Sequence, residues 1–165
     1  MSQIEFKELT LENLPDVLEI YTYYILKSTA TFHMNPLSLE EMHNLVFFEN
    51  PKYRTFIILY NSTLCGYVFI SRHKPREAYD GTAEVSVYLK PEYTGKRIGG
   101  EAIRFIERFA RGYDIHVLIA TITGGNNPST KVFEKNGFIK CAHYIEVGRK
   151  FGQFLDIVAY QKVIN

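Results

Sequence analysis

The stretch Gly81–Glu101, GTAEVSVYLKPEYTGKRIGGE, constrains the fold more than any other part of the chain. From Thr82 to Leu89 the residues alternate: Ala83, Val85, Val87 and Leu89 form one wholly apolar face, while Thr82, Glu84, Ser86 and Tyr88 put a carboxylate, two hydroxyls and a phenol on the other. Period two over eight residues predicts a half-buried strand. Pro91 lacks an N–H to give to a ladder, so regular pairing stops near Lys90. Thr94-Gly95-Lys96-Arg97-Ile98-Gly99-Gly100 follows, and its three glycines let the backbone turn tightly or approach a ligand closely. From Ile98 the apolar period becomes helical, through Ala102, Phe105, Ile106 and Phe109. The glycine turn therefore sits at a helix N-terminus, where free N–H groups, the helix dipole, Lys96 and Arg97 converge on a place that suits a phosphate. A strand leading into a phosphate cradle suggests a nucleotide-like cofactor.

At 165 residues, 46% hydrophobic and 22% charged, residues 1–165 read as one globular domain with its own core. A formal net charge of +1 argues against a general nucleic-acid binder, which carries a basic face and excess positive charge. Met1–Leu9 lacks the apolar stretch of a signal peptide and no apolar run is long enough to span a membrane, so the expected compartment is the cytoplasm. Cys65 and Cys141 fall inside strand-like runs and read as small buried hydrophobes. The five histidines show no pair at metal-ligand spacing, and no metal is expected. With 12 Tyr, 12 Phe and no Trp, the aromatic surplus goes to the core and to a pocket or subunit interface.

In chain order, Ile4–Leu9 reads as a strand, with Thr10 and Asn13 as possible caps of a helix that buries Leu14, Val17, Leu18, Tyr21, Tyr24 and Ile25 and ends near Lys27. Ser28–His33 is a small polar connector containing Phe32. Ser38 and Glu41 form a capping box for a second helix with Leu39, Met42, Leu45 and Val46 as its stripe. Thr55–Tyr60 and Leu64–Ser71 are strands joined by Asn61-Ser62-Thr63, and His73–Tyr79 is a basic, aromatic loop leading into the alternating strand. Val117–Thr123 is a further strand, Thr130–Asn136 a short helix stopped at Asn136-Gly137, and Phe138–Gly148 and Phe154–Gln161 a last strand pair joined through Arg149–Gln153. Hairpins mixed with crossover helices predict an α/β fold: one mixed sheet of about seven strands flanked by about four helices.

No phosphate-loop or dinucleotide fingerprint is present, so the glycine turn alone is a weak signal. A second strand-to-helix junction at Asn126-Asn127-Pro128-Ser129, running into Glu134-Lys135-Asn136-Gly137-Phe138, strengthens it. With Ser28–Phe32, Lys74–Tyr79, Thr82–Tyr88 and the C-terminal Val147-Gly148-Arg149-Lys150-Phe151-Gly152 with Leu155-Asp156, these segments run in order over nearly the whole chain. In that combination the sequence resembles the GCN5-related N-acetyltransferases, and within them the phosphinothricin and methionine sulfoximine acetyltransferase group. The turn departs from the family's pattern at Thr94 and Arg97, where Gln or Arg and Gly are usual, while Gly95 and Gly99 keep it flexible.

The resemblance implies a mostly antiparallel sheet with a V-shaped cleft between its central strands and a homodimer. It also implies acetyl-CoA as acetyl donor, its pyrophosphate over Gly95, Lys96, Arg97, Ile98, Gly99 and Gly100. The pantetheine would pair beside Val87, Tyr88 and Leu89, and Asn126 would bond it from the other side. Ser129 either bonds the cofactor or caps the short helix. A primary amine must lose a proton before attacking the thioester, and Glu84 is placed to take it directly or through a water. A backbone N–H near Tyr88 or Leu89 would stabilise the oxyanion. Lys74 and Arg76 would hold the carboxylate of a small amino-acid-like substrate, with Phe32 and Tyr79 closing on its side chain. The alternatives are an acetyltransferase for protein N-termini or polyamines, and a non-catalytic acyl-CoA-binding sensor. Close relatives often carry histidine, and many other family members tyrosine, where this chain has Phe133, which cannot protonate a thiolate. The thiolate then leaves unaided or takes a proton from water or Tyr88.

Overall fold

The computed structural model describes residues 2–165. Its strands are β1 (Ile4–Glu8), β2 (Arg54–Tyr60), β3 (Thr63–Arg72), β4 (Thr82–Leu89), β5 (Val117–Thr123), β6 (Ile139–Lys150) and β7 (Gln153–Val163). Its helices are α1 (Leu14–Lys27), α2 (Leu39–Val46), α3 (Ile98–Arg111) and α4 (Asn127–Lys135). The strands form one seven-stranded sheet in the order β1-β2-β3-β4-β5-β7-β6. Every neighbouring pair is antiparallel except β4 and β5.

That parallel pair spans only Thr82–Glu84 against Val117–Ile119, although both strands run on for several residues. Beyond Glu84 they separate, which opens the sheet in a V at its centre. Alternation along the strands feeds two cores. On one face Val85, Leu118, Ala120 and Ile122 meet Ile98, Ala102, Ile103 and Ile106 of α3 and Phe133 of α4. On the other, Ile57, Tyr67 and Phe69 meet Val17, Ile20 and Ile25 of α1 and Met42 and Val46 of α2. Phe105 and Phe109 sit at the margin of the α3 stripe, half-buried, where Phe105 stacks on Phe6 with ring centres 4.3 Å apart.

Several local expectations change. Ser38 and Glu41 do form the capping box of α2, but Leu39 is exposed and outside its stripe. Thr10 and Asn13 bond each other instead of a helix N–H, and α1 starts with Pro15 in its first turn, where a missing N–H costs nothing. Both hairpin connections are shorter than read. Asn61-Ser62 and Phe151-Gly152 are two-residue turns with positive φ throughout (48°, 68°, 54° and 72°), matching the twist of the paired strands, so Thr63 and Gln153 already belong to strands. Cys65 is fully buried, but Cys141 is exposed on β6, which has β7 on one side only. Of the three glycines in the cofactor turn only Gly95 has positive φ (76°); Gly99 and Gly100 lie in the first turn of α3, and Arg97 takes the left-handed position itself at φ 66°.

Candidate active site

The gap between β4 and β5 is the centre of the site. Lys90 N–H donates to the Cys65 carbonyl at 2.7 Å, and antiparallel pairing alternates. The N–H and C=O of Ser86 and Tyr88 therefore turn toward β3, whereas those of Val87 and Leu89 turn toward the gap, where β5 has diverged. The phenol of Tyr24 on α1 reaches across to donate to the Leu89 carbonyl. This narrows the expected oxyanion donor: Tyr88 N–H is used by the ladder, and the free donors are those of Val87 and Leu89.

A cavity of about 430 Å³ fills the gap. All the residues assigned to the cofactor line it except Lys96: Val87, Tyr88 and Leu89 from β4, Gly95, Arg97, Ile98, Gly99 and Gly100 from the turn and α3, and Asn126 and Ser129 at the start of α4. Lys96 instead lays its ammonium 5.9 Å from the centre of the Tyr60 ring. No side chain caps the N-terminus of α3, so its first N–H groups stay open to an anion. A non-glycine residue in the left-handed region costs on the order of 1 kcal/mol, and Arg97 bears that strain at the cavity wall.

At the second junction Asn126 Oδ1 accepts from Ser129 N–H at 3.4 Å, which makes Asn126 the cap of α4 and leaves its side-chain amide free to donate. Ser129 is thus not the cap, and it lines the cavity from the first helical turn. Phe133 closes the same wall and packs edge-to-face on Phe138 at 5.0 Å. Burial and the neighbouring Tyr21 push the Tyr88 phenol above its ordinary range, so at neutral pH it is a protonated but weak acid.

Glu84 occupies the polar face of β4 where the parallel pairing ends. Its Oε2 lies 3.0 Å from His73 Nδ1 and its Oε1 accepts from Thr121 Oγ1 on β5 at 3.2 Å. His73 meets the ring of Tyr79 edge-on at 5.6 Å, and the Lys74 ammonium lies 5.3 Å from the centre of that ring. The structure thus joins Glu84, Tyr79 and Lys74 through His73. Arg76 caps the turn that carries Tyr79 and stays exposed, and neither Lys74 nor Arg76 has a carboxylate partner among the described residues. His73 and Thr121 were missed as site residues; the signal for His73 is its place just past Arg72, which pairs with Ala83 and so brings it to Glu84.

Phe32 arrives from far away in sequence. Its ring lies so close to Gly148 on β6 that a Cβ there would stand 2.2 Å from Phe32 Cε2. The segment carrying it is pinned at several points: Thr123 Oγ1 donates to the Thr29 carbonyl at 2.6 Å, Lys150 Nζ to the Thr31 carbonyl at 2.8 Å, and the Tyr21 hydroxyl bonds Thr31 Oγ1 at 2.6 Å and also His33 Nδ1. Ser28–His33 is therefore a built wall and not an ordinary connector.

The profile of the Acetyltransferase (GNAT) family matches residues 15–138, a span running from α1 to the end of α4. The chain belongs to the GNAT acetyltransferase family. It is an acetyl-CoA-dependent N-acetyltransferase. An L-methionine sulfoximine/L-methionine sulfone acetyltransferase from Pseudomonas aeruginosa is 28% identical over 94% of this chain and 91% of its own. An N-acetyltransferase from Streptomyces griseus is 30% identical over 93% and 83%. Among solved structures, a GNAT superfamily phosphinothricin acetyltransferase from Sinorhizobium meliloti, in complex with acetyl-CoA, superposes with a TM-score of 0.91 at 26% identity, covering 97% of this chain and 88% of that one.

The cavity fits that co-substrate on its own geometry. It offers two unpaired backbone donors on β4 for an amide-bearing arm, an uncapped helix terminus for a pyrophosphate, and a free amide on Asn126 facing them. Acetyl-CoA supplies the activated acetyl thioester.

Proposed function

We propose that the enzyme acetylates the primary amine of a small amino-acid-like substrate of the phosphinothricin or methionine sulfoximine and sulfone type, by direct transfer. The observation that carries this reading is Glu84, held between His73 and Thr121 at the point where β4 and β5 part, with exposed Lys74 against the Tyr79 ring that closes on His73. Glu84 takes the ammonium proton directly or through a water, and the freed electron pair attacks the thioester carbonyl. The oxyanion that forms meets the Leu89 or Val87 N–H; as it collapses the C–S bond breaks, CoA leaves as a thiolate, and the extra proton on the new amide nitrogen passes through water to that thiolate. Lys74 and Arg76 fix the substrate carboxylate, and Tyr79 and Phe32 bound its side chain. The same two cations disfavour a polyamine by like-charge repulsion. The substrates for which the relatives above are named support the same class.

The chain acts as one N-acetyltransferase domain over residues 1–165, a reading supported by one sheet containing every strand. It works as a homodimer. In support, β6, β7 and the turn between them expose Ile139, Tyr144, Ile145, Val147, Phe151 and Phe154, apolar side chains of the kind that subunit contacts cover. Its use of acetyl-CoA supports a cytoplasmic location.

An amine panel tests the substrate class: L-methionine sulfoximine, L-methionine sulfone, phosphinothricin, spermidine and a short peptide with a free N-terminus, each followed by thiol release from acetyl-CoA. Turnover confined to the peptide or spermidine sinks the class. For the mechanism, Glu84→Gln keeps shape and loses the base, so kcat falls about 10²–10⁴-fold at neutral pH; an unchanged rate removes Glu84 from that role.

A further inference from the structure

Glu84 is not an isolated carboxylate. A carboxylate can only accept, so at 3.0 Å it is His73 Nδ1–H that donates to Oε2. That bond fixes the tautomer: Nδ1 carries the proton and Nε2 carries a lone pair. Nε2 has no hydrogen-bond partner among the described residues. The His73 side chain is 18% exposed against 29% for Glu84, so both are reachable by a water but neither is loose. Thr121 holds the other carboxylate oxygen from β5, and the Tyr79 ring closes on the imidazole edge-to-face. An imidazole whose one nitrogen is oriented by a buried-side acid, while the other stays open, is the arrangement by which proteins make a histidine accept protons.

We infer that the proton-accepting centre is the His73–Glu84 pair, in which the amine's proton comes to rest on His73 Nε2 while Glu84 stays ionised to orient the ring and balance its charge. The inference rests on the reading of Glu84 as part of that centre and assigns the proton within it. The step balances as follows. One N–H bond of the substrate ammonium breaks and its electron pair stays on nitrogen for attack on the thioester. The proton passes through a water to Nε2, where a new N–H bond forms. The resulting imidazolium is paired with the Glu84 carboxylate through Nδ1–H, and it later gives the Nε2 proton to water, which restores the starting tautomer. The groups that touch the imidazole are Glu84 from β4 and Tyr79 from the loop after β3, with Lys74 against the Tyr79 ring and the Arg72–Asp80 ion pair adjoining in sequence. Glu84 is the carboxylate bonded to the ring, and it would balance an imidazolium directly.

Two variants test this, with L-methionine sulfone as the amine. His73→Asn keeps an N–H donor at the position of Nδ1, so the carboxylate remains oriented, but it cannot take a proton; His73→Ala opens a space for added imidazole. Melting temperature and the acetyl-CoA Kd are measured first to establish folding. The expected result is a loss of about 10²-fold or more in kcat for both, with acetyl-CoA binding unchanged, and partial recovery of His73→Ala by free imidazole. A His73→Asn enzyme with wild-type kcat overturns the inference. So does a slow His73→Ala enzyme that imidazole leaves slow, because His73 then only positions Glu84. In either case a slow Glu84→Gln enzyme keeps the underlying reading, whereas a wild-type Glu84→Gln rate removes that reading itself.

Discussion

Replacing Gly148 by alanine separates the two halves of the site. Gly148 lies in β6 with negative φ, so an added methyl meets no backbone strain. What it meets is Phe32: the new Cβ would stand 2.2 Å from Cε2, 2.8 Å from Cζ and 2.9 Å from Cδ2. Ordinary contact begins at 3.4 Å, so the ring must retreat by about 1.2 Å at its nearest atom. The loop backbone cannot follow freely, because Thr29 and Thr31 are held by Thr123 and Lys150. The ring therefore swings on its own torsions, away from the place proposed for it beside the substrate.

Displacements near 1 Å in a positioning residue cost up to about 10²-fold in rate. The stability cost is smaller, because Phe32 is only half-buried and can relax outward: about 1 kcal/mol, at the low end for overpacking, or a fall of roughly 2–4 °C in Tm at this chain length. Steady-state kinetics with L-methionine sulfone and a direct titration of acetyl-CoA check both sides. Expected are a 10- to 100-fold drop in kcat/KM for the amine and an acetyl-CoA Kd within twofold of wild type. Wild-type amine kinetics in a folded Gly148→Ala enzyme would refute the placement of Phe32 in the substrate site. A Kd for acetyl-CoA that moves with it would refute the separation of the halves.

Other consequences are as direct. The Tyr67 hydroxyl is buried without a partner, so Tyr67→Phe removes an unpaid desolvation of about 1 kcal/mol or more and raises Tm by a few degrees. Burial pushes the Cys65 thiol up to about 11, while Cys141 is exposed, so a thiol reagent at pH 8 labels one cysteine per native chain and both after denaturation. Lys150 is almost wholly buried, and desolvation lowers its pKa. Between that lowered value and the ordinary 10.5 the unfolded chain binds the extra proton, so wild-type stability rises with pH in this window and Lys150→Met removes the rise. The same substitution frees the Thr31 carbonyl and is expected to raise the amine KM several-fold.

How much of this was legible from residues alone divides along the same line. The cofactor half is nearly contiguous: strand, proline, glycine turn and helix occupy Thr82–Arg111, and the second junction is a short run at Asn126–Ser129. Period, punctuation and helix-terminus physics act over a few residues, so both junctions could be read, and only details such as the conformation of Arg97 and the capping role of Asn126 escaped. Those details depend on φ angles and on which side-chain atom turns inward, neither of which residue type specifies. Arg97 is instructive, because the turn has two positions of positive φ: Gly95 takes one, and the other falls on Arg97 while Gly99 and Gly100 lie in the helix.

The substrate half is assembled from distant pieces. Lys150 reaches Thr31 across 119 residues of sequence, Thr123 reaches Thr29 across 94 and Thr121 reaches Glu84 across 37. No local pattern encodes such meetings; they follow from strand order and register, which place β5 beside β4 and β7 between β5 and β6. His73 escaped for this reason, since only the pairing of Ser71 with Glu84 brings the end of β3 to the carboxylate. The division has a physical consequence for how the enzyme responds to change. The side proposed for the donor is built from backbone groups of β4 and α3, which any side chain compatible with those elements leaves in place. The side proposed for the amine is built from side chains pinned through single hydrogen bonds and one ring against one glycine. Substitutions on β6, the Ser28–His33 wall or the His73–Tyr79 loop should therefore alter which amine is accepted while the acetyl donor continues to bind as before.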